Sequence, residues 1–427
     1  MDNFQKERDA FYKTIPQYWP NLYDEEYSLF DVKLDSNERI QQIRTATKRV
    51  GHIFRKVTPL LQQMSSESLS QLGFPSEAIA YVRLSTSHLI TLIGRMDFVV
   101  SGKTIKLLEL NSDTPTFIKE TFNVNNKICD YFHQQTANEG LEELLSKALR
   151  KGIHEAWNNK ENRPPVIVFT SHDDHVEDYY TTKYLQELCG LPSSYFPLAK
   201  LKVLSEDIVE NGEVLAEKGL YTPDGERIDV LYRPTYPIEH LVEDLSTESN
   251  EKIGETLLCF VEEGHVTIMN PPSSFLLQSK AVQAVIWGLF EEDHPYFNEE
   301  EKGWISQYFL PTYLESDPFI VKKEKFVRKP AFGREGDTVV IYNEFGEKVL
   351  EDQQKTYENS LFVYQQFMPL PQHNIRTEKG MVNAHIMYGS FYVHHTPMAI
   401  GIRAGGPITD NRSYFLPVAI TKRKGMS

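Results

Sequence analysis

Cysteine is scarce in this chain: its 427 residues include only Cys129, Cys189 and Cys259. Three widely separated cysteines are typical of reduced thiols in a core, and they provide neither a disulfide framework nor the spacing of a zinc site. Long apolar runs are lacking too, and none approaches the roughly 20 residues of a membrane span. The polar N-terminal residues contain no signal-peptide pattern. We therefore expect a cytoplasmic protein without a membrane partner.

Positive charge is also in short supply. The chain has 45 Lys and Arg against 60 Asp and Glu, a formal net charge of −15. Phosphate contacts with nucleic acid require concentrated Lys and Arg, so the balance argues against a nucleic-acid partner and is compatible with a cationic substrate. Hydrophobic residues make up 40% of the chain and aromatic residues 12%. That composition predicts a globular enzyme with a large core and two or three substructures.

The order of predicted elements indicates an α/β protein in four parts. Residues 1–93 form a helical region, in which Ser36 caps a helix that continues to Met64. Residues 94–165 contain a β-hairpin and helices near 118–135 and 141–157. In residues 166–277, strands at 166–170, 228–232 and 266–269 alternate with helices at 177–189 and 248–262, which predicts a mainly parallel sheet.

The last part, residues 278–427, begins with a helix at 278–290 and then changes to antiparallel strands. The predicted strands are 325–329, 338–342, 361–367, 382–388, 390–394 and 398–403. No internal repeat or linker separates the parts. We therefore expect interlocked substructures, with 278–427 packed into 94–165.

The hairpin at 94–111 has one apolar and one polar face, because side chains alternate along a strand. The apolar face carries Met96, Phe98, Val100, Leu108 and Leu110. The polar face carries Arg95, Asp97, Glu109 and Asn111. An odd-numbered turn centred on Lys103 would place Asp97 opposite Glu109 and Arg95 opposite Asn111, about 5 Å apart. Such carboxylate and amide oxygens are ligands for Mg²⁺, although a solvated outer face is the simpler interpretation.

A second candidate lies in the segment 326–340, where a predicted strand ends at Lys329 and a loop contains Gly333 and Gly336. Glycines let backbone amides approach an anion closely, and Lys329 would reach nucleotide phosphates. A plain hairpin with a glycine turn is the alternative. Lys280, at the start of a helix, and Arg403, at the end of a strand, are two further cations that could equally be surface charges.

The run Ser171-His-Asp-Asp-His175 follows a predicted strand and competes as a transition-metal site, with a polar loop as the alternative. Glu177 and Asp178 come next, at the start of a helix, where they favour the helix dipole and could bind a substrate ammonium group. No nucleophile with a neighbouring base is recognisable. Covalent acyl-enzyme chemistry is therefore unsupported.

Four ordered motifs carry a resemblance to a known family. They are Arg95-x-Asp97 … Glu109-x-Asn111-x-Asp113-Thr-Pro-Thr116, Lys329-Pro … Gly333-Arg-Glu-Gly336, Tyr364-Gln-Gln-Phe-x-Pro-Leu-Pro371, and Gly401-Ile-Arg403 … Ile408-Thr-Asp-Asn-x-Ser413. With them, nearly the whole chain resembles the synthetase domain of glutathionylspermidine synthase and its stand-alone relatives, acid–amine ligases with an ATP-grasp fold. The amidase domain of the bifunctional enzymes has no counterpart here, so hydrolysis of the product is not expected.

The resemblance implies a role for each matching residue. Asp97, Glu109 and Asn111 would bind Mg²⁺, as two ions, and Arg95 would stabilise the transferring phosphoryl group. The ATP-binding residues would be Arg95, Asp97, Lys280, Lys329, Gly333, Gly336, Gln365, Gln366, Ile408, Thr409 and Asp410. Arg403 would lie near the phosphates or the activated carboxylate. Thr114, Thr116, Glu177 and Asp178 would face the substrates.

The implied activity is an ATP-dependent carboxylate–amine ligase that forms a C–N bond through an acyl phosphate and releases ADP and phosphate. Its partners would be a small acid and a small amine, with a glutathione-like peptide or a polyamine as candidates. Two other functions remain open at this stage. One is a nucleotide-binding protein of the same fold without ligase turnover, and the other is a metal-dependent hydrolase that uses His172, Asp173, Asp174 and His175.

Overall fold

The computed structural model of the protein describes residues 3–85, 88–157, 163–234, 236–246 and 250–421. Its α-helices are Asn3–Tyr12, Asn37–Gln63, Ser66–Gln71, Ile79–Val82, Asn125–Tyr131, Leu141–Trp157, Val176–Cys189, Ile238–Leu241, Ile253–Glu262, Ser274–Gln278, Ala281–Glu291, Glu299–Tyr308 and Asp317–Lys322. Short 3₁₀ turns occupy Ser76–Ala78 and Leu198–Lys200, and a π-helix occupies Glu120–Val124. Within these ranges no helix combines the length and the apolar character needed to cross a membrane.

The largest sheet joins the hairpin to the C-terminal part of the chain. Its strands, in spatial order, are Tyr414–Leu416, Thr396–Gly405, Gly380–Val393, Ile93–Ser101 and Thr104–Asn111, and Gln372–Thr377 also pairs with Gly380–Val393. All of these pairs are antiparallel. The helix Asn37–Gln63 packs on this sheet so closely that a Cβ atom on Gly51 would come within 2.5 Å of the Tyr392 ring. Segments far apart in sequence thus share one core.

The register of the hairpin is as predicted at its polar end, but the predicted turn is wrong. Arg95 faces Asn111, and Asp97 faces Glu109. The turn between Ser101 and Thr104 has two residues rather than an odd number, and its first residue is a glycine at φ +56°. A β-bulge after Asp97 shifts the pairing by one residue. In such a bulge, two residues of one strand face one residue of the other. The bulge therefore restores the pairing of Asp97 with Glu109, which a two-residue turn alone would have shifted by one residue.

Two more sheets complete the frame of the site. A second antiparallel sheet has the order Thr312–Tyr313, Phe362–Gln366, Phe326–Pro330, Val340–Tyr342 and Lys348–Glu351. A four-stranded sheet has the order Thr267–Met269, Val230–Tyr232, Ile167–Ser171 and Ser194–Pro197. Every pair in the four-stranded sheet is parallel, which confirms the parallel sheet predicted from alternating strands and helices.

The remaining strands form small sheets. They are Asn21–Leu22 with Glu25–Glu26, Ile208–Glu210 with Glu213–Ala216, Lys202–Leu204 with Gly219–Tyr221, and Lys33–Asp35 and Gln135–Thr136 with Val418–Ile420. Cys129, Cys189 and Cys259 form no disulfide. Cys129 and Cys189 are buried, as expected for thiols in a core, and Cys259 is partly exposed.

The elements of the structure differ from the predicted ones in several places. The strands expected at 382–388 and 390–394 are one continuous strand, Gly380–Val393. The helix expected at 118–135 is a π-helical turn followed by the shorter helix Asn125–Tyr131. The helix Glu299–Tyr308 was not predicted, although the capping box of Asn298 and Glu301 is a recognisable start signal.

Candidate active site

A cavity of about 830 Å³, part of it open to solvent, lies between the two antiparallel sheets. We call residues 331–337, which cover it, the glycine loop. The cavity is lined by ten of the predicted site residues: Glu109, Lys280, Lys329, Gly333, Gly336, Gln365, Gln366, Arg403, Ile408 and Thr409. The strands that carry these residues come from both ends of the chain. The fold therefore assembles in one place residues that are up to 300 positions apart.

Glu109, Lys280 and Lys329 form what we call the phosphate end of the cavity. Lys280 Nζ lies 3.2 Å from Glu109 Oε2 and also donates to the carbonyl of Gly333 at 2.6 Å. Lys329 Nζ donates to Gln365 Oε1 at 2.7 Å. Lys280 is buried, so it is held at the base of the cavity by the carboxylate and the loop carbonyl.

The charges of the phosphate end shift its titration. Burial would raise the pKa of Glu109, but Lys280 and Lys329 outweigh it and bring that pKa down to about 2. Burial lowers the pKa of Lys329 to about 8, with Glu109 opposing the shift. Glu109 therefore stays ionised, and an arriving polyanion would strengthen the charge on Lys329.

Asp97 and its neighbours form the other half of the polar hairpin face. Arg95 binds Asp97 through two hydrogen bonds, Nε to Oδ1 at 2.8 Å and Nη2 to Oδ2 at 3.0 Å. Both side chains are buried. The Asn111 amide nitrogen donates to Asp97 Oδ2 and Glu109 Oε1, each at 3.3 Å. The three predicted metal ligands therefore converge on one position.

This donor set fits a magnesium ion. Two carboxylates reach the position now taken by the Asn111 nitrogen, and turning the amide over would present a third oxygen there. Hard oxygen ligands of this kind are those that Mg²⁺ prefers. Arg95 and Asp97 do not line the cavity itself, since they lie behind Glu109 in the sheet.

The glycine loop is packed tightly against the segment 407–410. A Cβ atom on Gly336 would meet the Thr409 carbonyl oxygen at 2.5 Å, and Gly336 has φ +73°, so only glycine fits there. Arg403 Nη2 donates to the carbonyl of Asp410 at 2.8 Å. Asp410 therefore anchors Arg403 through its backbone and, unlike Ile408 and Thr409, does not line the cavity.

The residues predicted to face the substrates lie in two places. Thr116 accepts a hydrogen bond from Arg95 through its carbonyl at 2.9 Å, and Thr114 Oγ1 accepts one from Arg334 Nη2 of the glycine loop at 2.9 Å. Glu177 and Asp178 lie at the start of the helix Val176–Cys189, outside the cavity lining. Thr114 and Thr116 thus contact Arg334 and Arg95, whereas Glu177 and Asp178 belong to another element.

Glu177, Asp178, Glu120 and Glu335 interact electrostatically, and we call them the acidic cluster. Burial and the charges of Glu120 and Asp178 raise the pKa of Glu177 to about 8. Burial likewise raises the pKa of the fully buried Glu120. In contrast to Glu109, Glu177 and Glu120 have raised pKa values, so they bind protons more readily than ordinary glutamates and suit a cationic ligand.

The two histidines of the run 171–175 do not come together. His172 packs against Tyr236 with ring centroids 5.4 Å apart, and His175 Nδ1 lies 3.5 Å from Asp178 Oδ2. The hydrogen bond that the His175 ring donates to the Asp178 carboxylate raises the pKa of His175 to about 9. Across the described ranges no group of three His, Cys, Asp or Glu side chains has the geometry to hold a metal ion. His175 is thus a partner of the acidic cluster.

Two contributors to the site were missed in the sequence. Arg334 was inside a quoted motif, between two conspicuous glycines, and its charge was the available signal. Glu120 gave no distinct signal, because the stretch around it, Lys119-Glu-Thr-Phe-Asn123, is an ordinary mixture of polar and apolar residues. Its hydrogen-bond partner Tyr27 lies in the first 35 residues, which are rich in aromatic side chains but show no other distinctive pattern.

The two antiparallel sheets and the cavity between them form an ATP-grasp fold, which here accompanies a parallel α/β sheet. The chain belongs to the glutathionylspermidine synthase preATP-grasp family, whose sequence profile it matches over residues 6–421. Membership of this family supports a ligase that joins an acid to an amine.

Two individual proteins are similar to the chain. It is 27% identical over 336 residues to a Haemophilus influenzae protein named "Putative acid--amine ligase", covering 76% of this chain and 74% of that protein. The structure of a glutathione synthetase-like effector from Globodera pallida covers 99% of this chain, and 98% of the effector is covered in turn, with a TM-score of 0.60 and 10% identity. The second likeness shows a shared fold.

Proposed function

We propose that the protein is an ATP-dependent carboxylate–amine ligase that forms an amide through an acyl phosphate and releases ADP and phosphate. The observation that carries the proposal is the phosphate end, where one carboxylate, Glu109, and two lysines, Lys280 and Lys329, meet in the cavity between the two antiparallel sheets. The acidic cluster on the far side of Arg95 and Thr116 supplies a separate place for an amine. The phosphate end suits an anion, and the acidic cluster suits a cation.

In this proposal the cavity holds ATP. Lys280 and Lys329 contact its phosphates, and backbone amides of the glycine loop at Gly333 and Gly336 cover them. Gln365 and Gln366 lie farther along the same cavity, toward the apolar side chains of Val327, Ile341 and Leu370, which suit a purine ring. Ile408 and Thr409 close the opposite wall.

Asp97, Glu109 and Asn111 would hold Mg²⁺, which neutralises charge on the phosphates when bound. Arg95 is fixed by Asp97 and by the Thr116 carbonyl, so its position does not depend on a ligand. Arg403, which lines the same cavity and is held by Asp410, adds a second guanidinium. Pre-positioned cations of this kind stabilise the charge that develops on a transferring phosphoryl group.

The reaction needs no protein nucleophile. The substrate carboxylate attacks the γ-phosphate of ATP, giving an acyl phosphate and ADP, and the amine then displaces phosphate to form the amide. We place the acid near Thr114 and Thr116, between the two charged regions, and the amine near Glu177 and Asp178. A small peptide and a polyamine are the substrate classes that the family name suggests.

Incubation with Mg-ATP and a panel of acids and amines tests this proposal. We expect ADP release that requires both substrates, and a product whose mass equals acid plus amine minus water. Lys329→Met should lower the rate by about 10²–10³-fold, since it removes a cation from the phosphates. Lys325→Met is the matched control, because Lys325 lies just before the same strand and is exposed.

The outcomes separate the alternatives. ATP binding without turnover across the panel would favour a nucleotide-binding protein that has lost ligation. Failure to bind ATP, or equal loss of activity in Lys325→Met and Lys329→Met, would contradict the assignment of the cavity. Hydrolytic activity that survives removal of ATP would favour a different reaction class.

A further inference from the structure

Glu120 has one carboxylate oxygen that the fold leaves unused. Its side chain is fully buried, and Oε1 accepts a hydrogen bond from the Tyr27 hydroxyl at 2.6 Å. Oε2 has no hydrogen-bond partner within the residues that the structure describes. A buried carboxylate oxygen without a partner is costly, and in a native protein it points to a ligand or a catalytic task.

The backbone around Glu120 is unusual in two ways. Phe117 has φ +75°, a rare conformation for a bulky residue, and Glu120 opens the π-helix Glu120–Val124. Both features concentrate at functional sites. A Cβ atom on Gly401 would come within 2.5 Å of the Phe117 ring and 2.6 Å of Thr121 Oγ1. The sheet therefore holds this segment in place.

Glu120 is connected to the reacting region through this segment. Thr116, which accepts a hydrogen bond from Arg95, lies one turn before Glu120, and Arg95 stands 6.0 Å from the Phe117 ring centroid. The charge of Arg95 lowers the pKa of Glu120, and the charge of Glu177 raises the pKa of Arg95. Glu120 thus interacts electrostatically with both the Arg95 guanidinium and the Glu177 carboxylate.

Among the described residues no cation forms an ion pair with Glu120, although the charges of Lys119 and Arg95 lower its pKa. Tyr18 and Tyr27, from the N-terminal segment, and Glu177, from the neighbouring helix, bring no positive charge. Lys119 directs its ammonium group to the carbonyls of Pro16 and Gln17. Arg95 is engaged by Asp97. Burial raises the pKa of Glu120, so the carboxylate has a strong affinity for a proton.

We propose that Glu120, through Oε2, receives the proton that the ammonium group of the amine substrate must lose before it attacks. This inference rests on the proposed ligase function. An N–H bond of the ammonium breaks and an O–H bond forms on Glu120. The freed nitrogen lone pair forms the C–N bond, the C–O bond to phosphate breaks, and the second amine proton leaves with the phosphate. Glu177 and Asp178 hold the substrate cation meanwhile.

Glu120→Gln tests the proposal by comparing two nucleophiles. Hydroxylamine is largely unprotonated near neutral pH and needs no base, whereas an alkylamine substrate is an ammonium ion. We expect Glu120→Gln to lower amide formation with the alkylamine by about 10²–10³-fold. Hydroxamate formation from the same acid, ATP and hydroxylamine should stay within about threefold of the wild type. An equal loss with both nucleophiles would overturn the proposal.

Tyr27→Phe gives an independent measurement. It removes the donor that stabilises ionised Glu120, so the pKa of Glu120 rises further and the acidic limb of kcat/KM for the alkylamine should move to higher pH. Hydroxamate formation should show no such shift. If the acidic limb of kcat/KM for the alkylamine does not move in Tyr27→Phe, the proposal is contradicted, whether or not Glu120→Gln folds. Absence of ADP release in the wild type with any acid would instead refute the ligase function itself.

Discussion

The phosphate end and the acidic cluster use the same residue type in opposite electrostatic settings. Glu109 lies 3.2 Å from a lysine, and its pKa falls to about 2. Glu177 has other carboxylates as neighbours, and its pKa rises to about 8. The chain has an excess of 15 negative charges, yet Lys280, Lys329 and Arg403 meet at one end of the site, while carboxylates outnumber cations at the other.

This difference teaches that the net charge of the protein says little about its ligands. The local arrangement decides: Lys280, Lys329 and Arg403 line one cavity and favour a polyanion, while the acidic cluster favours a cation. Arg95 stands between the two regions, because its charge acts on both Asp97 and Glu120. Variants of Arg95 should therefore affect both the phosphate end and the acidic cluster. Variants of a residue within one region should affect that region only.

The largest expected effect follows the loss of Arg95. Arg95→Met leaves Asp97 buried without its partner, which should lower the free energy of unfolding by about 3–5 kcal/mol. Urea denaturation followed by tryptophan fluorescence measures this. The double variant Arg95→Met/Asp97→Leu removes both charges and should recover at least about 2 kcal/mol. A double variant as unstable as the single one would show that the pair matters through packing instead.

A smaller effect, confined to the phosphate end, is expected for Gly336→Ala. The new Cβ atom would meet the Thr409 carbonyl at 2.5 Å, so the glycine loop must move away from segment 407–410. We expect ATP binding, measured by calorimetry, to weaken about tenfold, while binding of a diamine stays unchanged. Gly140→Ala is the control, because Gly140 also has positive φ (+71°) but no atom within 4 Å of the added Cβ. Equal weakening in both would implicate backbone strain alone.

Much of the frame was predictable from local sequence patterns. Ser36 accepts from the Arg39 amide at the start of a 27-residue helix, as expected, and Gly190 ends the helix Val176–Cys189 in a left-handed conformation. Alternation along the hairpin correctly paired Asp97 with Glu109. The turn was wrong because a bulge and an even turn together give the same register at the polar end as an odd turn without a bulge.

The missing parts of the site depend on contacts between distant segments. Tyr27 reaches Glu120 across 93 positions, and Arg334 reaches Thr114 across 220. No periodicity links such residues, since packing of whole substructures brings them together. The resemblance to a known family supplied Lys280 and Arg403, which the residues alone left as surface charges. Their place in the cavity lining came only from the fold.

The smallest effect concerns the acidic cluster and pH. Burial, with the charges of neighbouring carboxylates, raises the pKa of Glu177 from 4.5 to about 8, so the folded state keeps a proton that the unfolded state releases. Between about pH 5 and pH 8 this carboxyl therefore makes stability fall as pH rises. Glu177→Gln removes the contribution, and its Tm should exceed that of the wild type by about 1–2 °C at the upper end of this range and match it at the lower end.

Differential scanning calorimetry across that pH range measures the difference. Glu187→Gln, an exposed change on the same helix, should leave the pH dependence of Tm unaltered. A saturating diamine should reduce the gap between wild type and Glu177→Gln, because a bound cation favours the ionised carboxylates. If the gap is the same at both ends of the range, Glu177 titrates like an ordinary surface carboxylate. The electrostatic contrast between the two ends of the site would then rest on Glu120 alone.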